Sequence, residues 1–234
     1  MQLGRSIGAL AKRIDTEFAI RAWLRGDPRP PRGGFDLDGE KIIDWGWICA
    51  NLPAGPKYAL EIGCGESPVI PTMLAHGYRV VGLDFNAKIA HQLGGLNGFN
   101  FVQGDFNSAQ LEPGFDVIIA CSALEHFGLS GRYGSSEDPD GDIKAMRRIH
   151  SLLAPDGIAM LTIPVGQDVV HRPWHRVYGR QRLPLLFNNF RRLQSRFLVK
   201  QPWGPWHEST EDVALAQPAV LQRYALGEFM LGIA

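Results

Sequence analysis

The chain has 234 residues, of which 45% are hydrophobic and 21% are charged, as in soluble globular proteins rather than disordered ones. Because no apolar run reaches 18 residues and the N-terminus lacks a signal peptide pattern, no membrane-spanning segment is expected. The formal net charge is zero, but residues 169–200 hold eight basic residues and no Asp or Glu, leaving 16 basic against 24 acidic residues elsewhere. That asymmetry favours a local anion site over a protein that binds polyanions with its whole surface.

The chain begins with an amphipathic pattern. Apolar residues recur every three or four positions over residues 3–24, which predicts a helix. A Pro- and Gly-rich linker follows at residues 26–34. The sequence therefore predicts an N-terminal helix and linker over residues 1–34 and a main domain over residues 35–234.

The main domain alternates short apolar runs with helical segments. A helix is predicted at residues 38–51, and further helical segments near residues 68–76, 86–94 and 142–153. Buried strands separated by helices are typical of a parallel, doubly wound sheet. The predicted strands of this part are 58–63, 78–84, 99–105, 115–121 and 157–164.

The C-terminal part follows a different pattern. Residues 191–200 and 225–234 both read as strands, with no crossover helix of ordinary length between them. They are therefore predicted to be antiparallel to each other at one edge. The expected fold is an α/β doubly wound, mostly parallel, seven-stranded sheet with an N-terminal helical extension.

Residues that follow the predicted strands are the candidates for ligand binding, because ligands of open α/β sheets bind at the carboxyl ends of the strands. Gly63 and Gly65 allow a tight turn and close approach to the backbone. Asp84 can accept hydrogen bonds from both hydroxyls of a ribose, and Asp105 can accept one from an exocyclic amino group. The candidates for binding a cofactor at these strand ends are Glu61, Gly63, Gly65, Asp84, Phe85, Asp105, Phe106 and Ser122.

An aromatic side chain beside these carboxylates would add stacking. Phe85 or Phe106 can stack on a purine, a contact of about 1 kcal/mol or more.

The motifs EIGCG, VVGLD, VQGD and FDVIIACSALEHF, in this order, resemble those of class I S-adenosylmethionine-dependent methyltransferases. The resemblance covers roughly residues 57–165. It implies S-adenosyl-L-methionine as the cofactor, with Glu61, Gly63 and Gly65 at its methionine end. It also implies that Asp84 binds the ribose and that Asp105 and Phe106 bind the adenine.

A dinucleotide is the competing cofactor. Its fingerprint places a third glycine beside the pyrophosphate, whereas this loop reads GCGESP. Glu66 would also direct a negative charge toward a pyrophosphate. S-Adenosylmethionine has no phosphate and carries an ammonium group, so the acidic loop favours it over NAD.

The segment after the fourth strand faces the transferred methyl group in the resembling family. His126 is the first candidate for a general base, since imidazole titrates near neutrality, and Glu125 is the second. The alternative for His126 is a role in shaping the pocket. No metal site is expected, because Asp138, Asp140 and Asp142 lack the spacing of a calcium loop.

The basic segment at residues 171–192 is expected to be an acceptor-site insertion. Arginines suit carboxylate or phosphate, and aromatic rings can stack on a sugar. Two other interpretations stay open: the arginines neutralise the acidic remainder, or they rest on an anionic membrane surface. The candidate residues for binding the acceptor are Arg172, His175, Arg176 and Tyr178.

The expected function is O-methylation of a sugar, a glycan-linked molecule or another small anionic acceptor. The arrangement from ALEHFGLSGRYG to the HR-x-YG-x-x-RLP stretch also resembles a bacterial branch that accompanies polysaccharide and glycolipid assembly enzymes. The alternatives are an RNA or nucleotide methyltransferase and a non-catalytic, methyltransferase-like binding protein. A nucleic acid partner is not expected. The three cysteines form an odd, sparse set, which favours a cytoplasmic location.

Overall fold

The structure is a computed structural model that describes residues 40–65, 67–86, 95–130, 136–200, 205–220 and 224–234. The predicted N-terminal helix and linker at residues 1–34 lie outside the described residues. So does nearly all of the helix predicted at residues 86–94.

The described strands form an eight-stranded sheet. Their order in the sheet is β3 (Phe99–Gln103), β2 (Arg79–Asp84), β1 (Tyr58–Ile62), β4 (Phe115–Cys121), β5 (Leu153–Val165), β10 (Ala225–Ile233), β8 (Phe190–Lys200) and β9 (Trp206–Ser209). The first five strands pair in parallel, which confirms the predicted doubly wound sheet. The sheet has one strand more than the seven expected, because the short segment Trp206–Ser209 pairs with β8. The strands of the parallel part are β1 (Tyr58–Ile62), β2 (Arg79–Asp84), β3 (Phe99–Gln103), β4 (Phe115–Cys121) and β5 (Leu153–Val165).

The C-terminal strands confirm the predicted antiparallel pairing. β10 (Ala225–Ile233) runs antiparallel to both β5 and β8 (Phe190–Lys200) and lies between them. β9 (Trp206–Ser209), rather than either predicted strand, forms the edge on this side.

Helices cover both faces of the sheet, which explains why its strands are apolar on both sides. One face packs Trp47, Ile48 and Met73 against β1 and β4. The opposite face packs Met146 and Ile149 against the same strands. The described helices are α1 (Glu40–Asn51), α2 (Val69–Ala75), α3 (Gly141–Leu152), α4 (Leu183–Leu186) and α5 (Glu211–Leu215).

The arginine-rich segment begins as a separate two-stranded hairpin. β6 (Val169–His171) pairs antiparallel with β7 (His175–Val177), and α4 follows. β7 packs against the 3₁₀ turn Leu124–His126 that follows β4. Within the described part of the chain, no helix has both the length and the apolar character needed to cross a membrane.

Candidate active site

A cavity of about 490 Å³ lies at the carboxyl ends of β1 to β4. Its position follows from the sheet, because parallel strands bring the residues after each strand to one edge. It brings together seven of the eight predicted cofactor-binding residues. These are Gly63, Gly65, Asp84, Phe85, Asp105, Phe106 and Ser122.

The turn after β1 requires glycine. Gly63 has φ +64°, and a Cβ atom there would lie 2.9 Å from the Cβ of Ala123. The Gly63 amide donates to the carbonyl oxygen of Leu83 at 2.8 Å, which ties the turn to β2. Gly65 also lies in the left-handed region, with φ +45°. The turn therefore presents bare backbone to the cavity.

Glu61 lies beneath this turn rather than on the cavity wall. Its side chain is 1% exposed, and within the described residues its Oε2 has no hydrogen-bond partner. Burial raises the pKa of Glu61 to about 8, although Ser67 and Lys41 oppose that shift. Ser67, two residues after Gly65, also accepts a hydrogen bond from the Val69 amide at 3.1 Å.

Asp84 connects the first two strand ends. Its Oδ2 accepts from the Gly65 amide at 3.0 Å and its Oδ1 from the Asn86 amide at 2.7 Å. These backbone donors hold the carboxylate against the glycine turn at the cavity wall.

The two predicted stacking residues occupy different environments. Phe85 is 40% exposed at the cavity, whereas Phe106 is 1% exposed. Phe106 packs edge-on against Phe127 with ring centroids 6.0 Å apart, and the Arg148 guanidinium lies over its ring. Only Phe85 of the two therefore offers a free ring to a ligand. Asp105, which immediately precedes Phe106, accepts a hydrogen bond from the Asn107 amide at 2.9 Å.

Ser122 follows β4 in a strained conformation. Its φ of +45° is the only positive value at a non-glycine position among the described residues. Its hydroxyl donates to Oδ2 of Asp44 at 2.7 Å, and its amide donates to the Thr162 carbonyl at 2.9 Å. Such strain costs on the order of 1 kcal/mol and persists only where the surroundings fix it, as at ligand sites.

The candidate bases follow in the 3₁₀ turn Leu124–His126. His126 lines the cavity, and its Nδ1 lies 2.6 Å from the Trp174 carbonyl oxygen. Its Nε2 lies 3.7 Å from Oε1 of Glu125. Glu125 is 3% exposed and does not line the cavity, and burial raises its pKa to about 8. His126 is thus the one of the two that faces the ligand space.

Lys41 is a cavity residue that the motifs did not indicate. It lies on α1, with its Nζ 3.5 Å from the carbonyl oxygen of Cys121. Burial lowers its pKa, but Cys121, Glu125 and Asp44 raise it by more, so the ammonium group stays charged. The one available signal was the polar spacing of Glu40, Lys41 and Asp44 in an otherwise apolar helix.

Other lining residues also lacked a motif. All but Lys144, which lies on α3, come from loops whose approach depends on the folded topology. They are Asn86, Asn107, Gly128, Ser136, Asp138 and Lys144.

None of the four predicted acceptor-binding residues is among the residues that line the described cavity. Arg172 pairs with Glu137 at the surface, and His175 packs between the rings of His171 and Tyr224. Arg176 is 2% exposed and Tyr178 is fully buried. The structure brings these four side chains to the hairpin and its surroundings, not to the cavity.

Six of the seven arginines within residues 169–200 are paired with carboxylates. Arg180 lies 2.8 Å from Asp212, and Arg192 lies 2.9 Å from Glu211. Further pairs join Arg182 to Asp142 at 2.5 Å and Arg196 to Glu208 at 2.5 Å. The positive charge of this segment is therefore largely neutralised by carboxylates of the same chain. Among the described residues, no His, Cys, Asp or Glu cluster could hold a metal ion.

Several solved structures with the same fold are methyltransferases. A TehB-like S-adenosylmethionine-dependent methyltransferase from Corynebacterium glutamicum is 20% identical, with 82% of this chain and 87% of that chain covered and a TM-score of 0.52. The 1,6-didemethyltoxoflavin-N1-methyltransferase of Burkholderia thailandensis, with bound S-adenosylhomocysteine, is 17% identical, with coverages of 98% and 90% and a TM-score of 0.57.

The N-methyltransferase NodS of Bradyrhizobium japonicum WM9, in complex with S-adenosylhomocysteine, is 16% identical, with coverages of 81% and 86% and a TM-score of 0.56. At these identities the likeness concerns the fold, which is that of the class I methyltransferases.

Sequence comparison gives a family. None of the curated proteins matches the chain. The family model described as "Caenorhabditis protein of unknown function, DUF268" matches residues 77–201, more than half of the chain. That segment runs from β2 to the end of β8 and includes Asp84, Asp105, His126 and the hairpin. The chain therefore belongs to the DUF268 family.

Proposed function

We propose that this protein is an S-adenosylmethionine-dependent methyltransferase that methylates a hydroxyl group of a small or glycan-linked sugar. One observation carries the proposal: a single cavity collects the glycine turn, Asp84, Asp105, the exposed ring of Phe85 and His126. When bound, S-adenosylmethionine would supply the methyl group, carried on its sulfonium.

The residues of the cavity fit this cofactor. Asp84 would accept hydrogen bonds from the ribose hydroxyls, and Phe85 would stack on the adenine. Lys41 would supply a positive charge for the cofactor's carboxylate. The bare backbone at Gly63 and Gly65 leaves the space that a close-lying ligand needs, since a side chain at Gly63 would meet Ala123.

His126 would act as the general base. A sugar hydroxyl is a weak nucleophile at neutral pH, so removal of its proton assists attack on a methyl group. His126 lines the cavity on the side of Ser122, and Glu125 lies 3.7 Å from its Nε2.

The choice of a sugar comes from the resemblance to the bacterial branch that accompanies polysaccharide and glycolipid assembly. An anionic acceptor has less support than the sequence suggested, because Arg172 and Arg176, the arginines expected to bind it, are paired with Glu137 and Asp142. The free cysteines Cys49, Cys64 and Cys121 are consistent with action in the cytoplasm.

Calorimetry with S-adenosylhomocysteine tests the cofactor assignment. Wild-type protein is expected to bind, and Asp84→Ala to bind at least tenfold more weakly, because a ligand hydrogen bond to a charged group contributes about 1.5–3 kcal/mol. Asp212→Ala, which removes an 81% exposed carboxylate far from the cavity lining, is the control. Absence of binding by the wild type, or equal binding by Asp84→Ala, would refute the assignment.

Methyl transfer itself is tested with methyl-labelled cofactor and fractionated cell extract. Label is expected in the glycan fraction and is expected to fall at least a hundredfold with His126→Ala. Label found only in RNA would overturn the acceptor class. Unchanged turnover by His126→Ala would show that His126 is not the general base.

A further inference from the structure

The hairpin β6–β7 contacts His126 through a backbone carbonyl. The oxygen of Trp174, in the turn between the two strands, lies 2.6 Å from His126 Nδ1. A carbonyl oxygen can only accept a hydrogen bond, so Nδ1 must carry a proton. In the neutral ring the lone pair is then on Nε2, which lies 3.7 Å from Oε1 of Glu125.

Arg176, on β7, holds the backbone next to His126. Its guanidinium donates to the carbonyl oxygen of Phe127, the residue after His126. It also donates to the carbonyl oxygens of Asp138 and Pro139, each at 3.3 Å. Because the planar fork has several fixed donors, one side chain joins the hairpin to two loops, and both loops contribute to the cavity wall.

A buried carboxylate fixes Arg176 in turn. Asp142 Oδ2 lies 3.7 Å from Arg176 Nε and accepts from Arg182 Nε at 2.9 Å. Arg182 also donates to the Pro139 carbonyl at 2.6 Å. The side chains of Asp142 and Arg176 are 0% and 2% exposed, so water does not weaken the pair.

The loop after His126 and the loop that leads into α3 pack so closely that neither can shift relative to the other. A Cβ atom at Gly141 would lie 2.8 Å from the Cα of Gly128, and one at Gly128 would overlap the Asp138 carbonyl. The turn after His126 and the start of α3 are therefore held in one relative position.

We propose that the hairpin β6–β7 and Arg176 are a positioning frame for His126, which they hold as the Nδ1–H tautomer so that Nε2 is the basic nitrogen. The arginine-rich segment thus acts through His126 rather than on the acceptor. The catalytic importance of this frame rests on the proposed function, but the tautomer does not.

Nitrogen NMR of histidine tests the tautomer directly. The full chain, labelled with ¹⁵N-histidine, is measured at pH 8, where ordinary imidazoles are neutral, and the His126 signal is identified by its loss in His126→Gln. The expected pattern has a protonated Nδ1 and an unprotonated Nε2. A Nε2–H pattern would overturn the proposal. Neither cofactor nor acceptor is needed, so this result is independent of methyl transfer.

Substitution of Arg176 tests the frame. Arg176→Lys keeps a charge opposite Asp142 but cannot reach all three carbonyls, so His126 is expected to show a mixture of the two tautomers. Arg180→Ala, from the same segment, removes a 59% exposed arginine that pairs with Asp212 and should leave the spectrum unchanged. Circular dichroism checks that both variants are folded.

Two outcomes of this comparison count against the frame. One is a wild-type spectrum in folded Arg176→Lys, which would show that Arg176 does not position His126. The other is an equal change in Arg180→Ala, which would make the effect non-specific. If Arg176→Lys does not fold, Arg182→Lys, which loses the fork on Asp142 and Pro139, is measured instead and read by the same two criteria.

Discussion

The strand-end cavity and the arginine-rich segment differ in what satisfies their charged side chains. In the cavity, Asp84 accepts hydrogen bonds from the backbone amides of Gly65 and Asn86, and Asp105 accepts one from that of Asn107. In the segment, Arg182 and Arg192 pair with carboxylates of other elements. A hydrogen bond from a neutral backbone amide holds a carboxylate in place and leaves it charged. In an ion pair, by contrast, the two opposite charges neutralise each other. The carboxylates of the cavity therefore keep their charge, whereas these arginines of the segment are neutralised by carboxylates of the same chain.

The largest expected effect is on the segment side. Asp142→Asn leaves Arg176 and Arg182 without the buried carboxylate between them. Removing one partner of a buried pair costs about 3–5 kcal/mol, so the free energy of unfolding should fall by that amount. Urea unfolding followed by circular dichroism measures it. A loss below about 1 kcal/mol would show that this connection does not stabilise the fold.

The next largest effect is expected in the glycine turn after β1, where a substitution should weaken ligand binding more than it destabilises the fold. Gly63→Ala places a Cβ at φ +64° and against Ala123, so a destabilisation of about 1–2 kcal/mol is expected. Binding of S-adenosylhomocysteine should suffer more, by at least tenfold, because the turn forms the cavity wall. Gly46→Ala, in α1 with no atom within 4 Å of the new Cβ, is the control for calorimetry. Equal binding by both variants would contradict the role of the turn.

A third prediction concerns pH. Burial raises the pKa of Glu61 to about 8, so between about pH 5 and 8 the folded state keeps a proton that the unfolded state has lost. Stability should therefore fall as pH rises through this window, by on the order of 1 kcal/mol per pH unit for this carboxyl. Glu125 and Glu228, whose pKa values burial also raises to about 8, add to the slope.

Glu61→Gln, a neutral isostere, isolates the contribution of Glu61. It should flatten the dependence of unfolding free energy on pH, whereas Glu112→Gln, at an exposed loop position, should not. Parallel curves for wild type and Glu61→Gln would show that Glu61 is ionised in the folded protein.

The smallest effect is expected at the surface of the segment. Arg180→Ala removes an ion pair whose side chains are 59% and 81% exposed. Exposed pairs contribute less than about 1 kcal/mol, so the melting temperature should stay close to that of the wild type. A loss as large as that of Asp142→Asn would mean that the two ends of the segment are not energetically distinct.

The fold was largely predictable because its main signals are local. Buried apolar runs give β1, β2 and β4, and the residue after each run marks the edge where ligands bind, which located Gly63 and Asp84. β9 escaped prediction because its four residues, Trp206–Ser209, include two charged or titratable side chains and gain their pairing from β8.

The remaining cavity residues depend on contacts that sequence spacing does not encode. Lys41 reaches Cys121 across 80 positions of the chain. Asp142 meets Arg182 across 40 positions, so the sequence could not decide whether the arginines neutralise the acidic remainder or bind an acceptor. A cluster of like charges in the sequence shows where those charged side chains are. Their role depends on which oppositely charged side chains the fold brings next to them.

The position of β10 has a consequence for the order of folding. β8 is synthesised before β10, yet it joins the sheet only through β10, which lies between β5 and β8. A chain truncated after residue 220 would therefore keep β8 and β9 unattached to β1–β5 and would leave an open edge on β5. Unpaired strand edges invite pairing with other chains, so such a truncated chain is expected to aggregate, and β10 closes that edge.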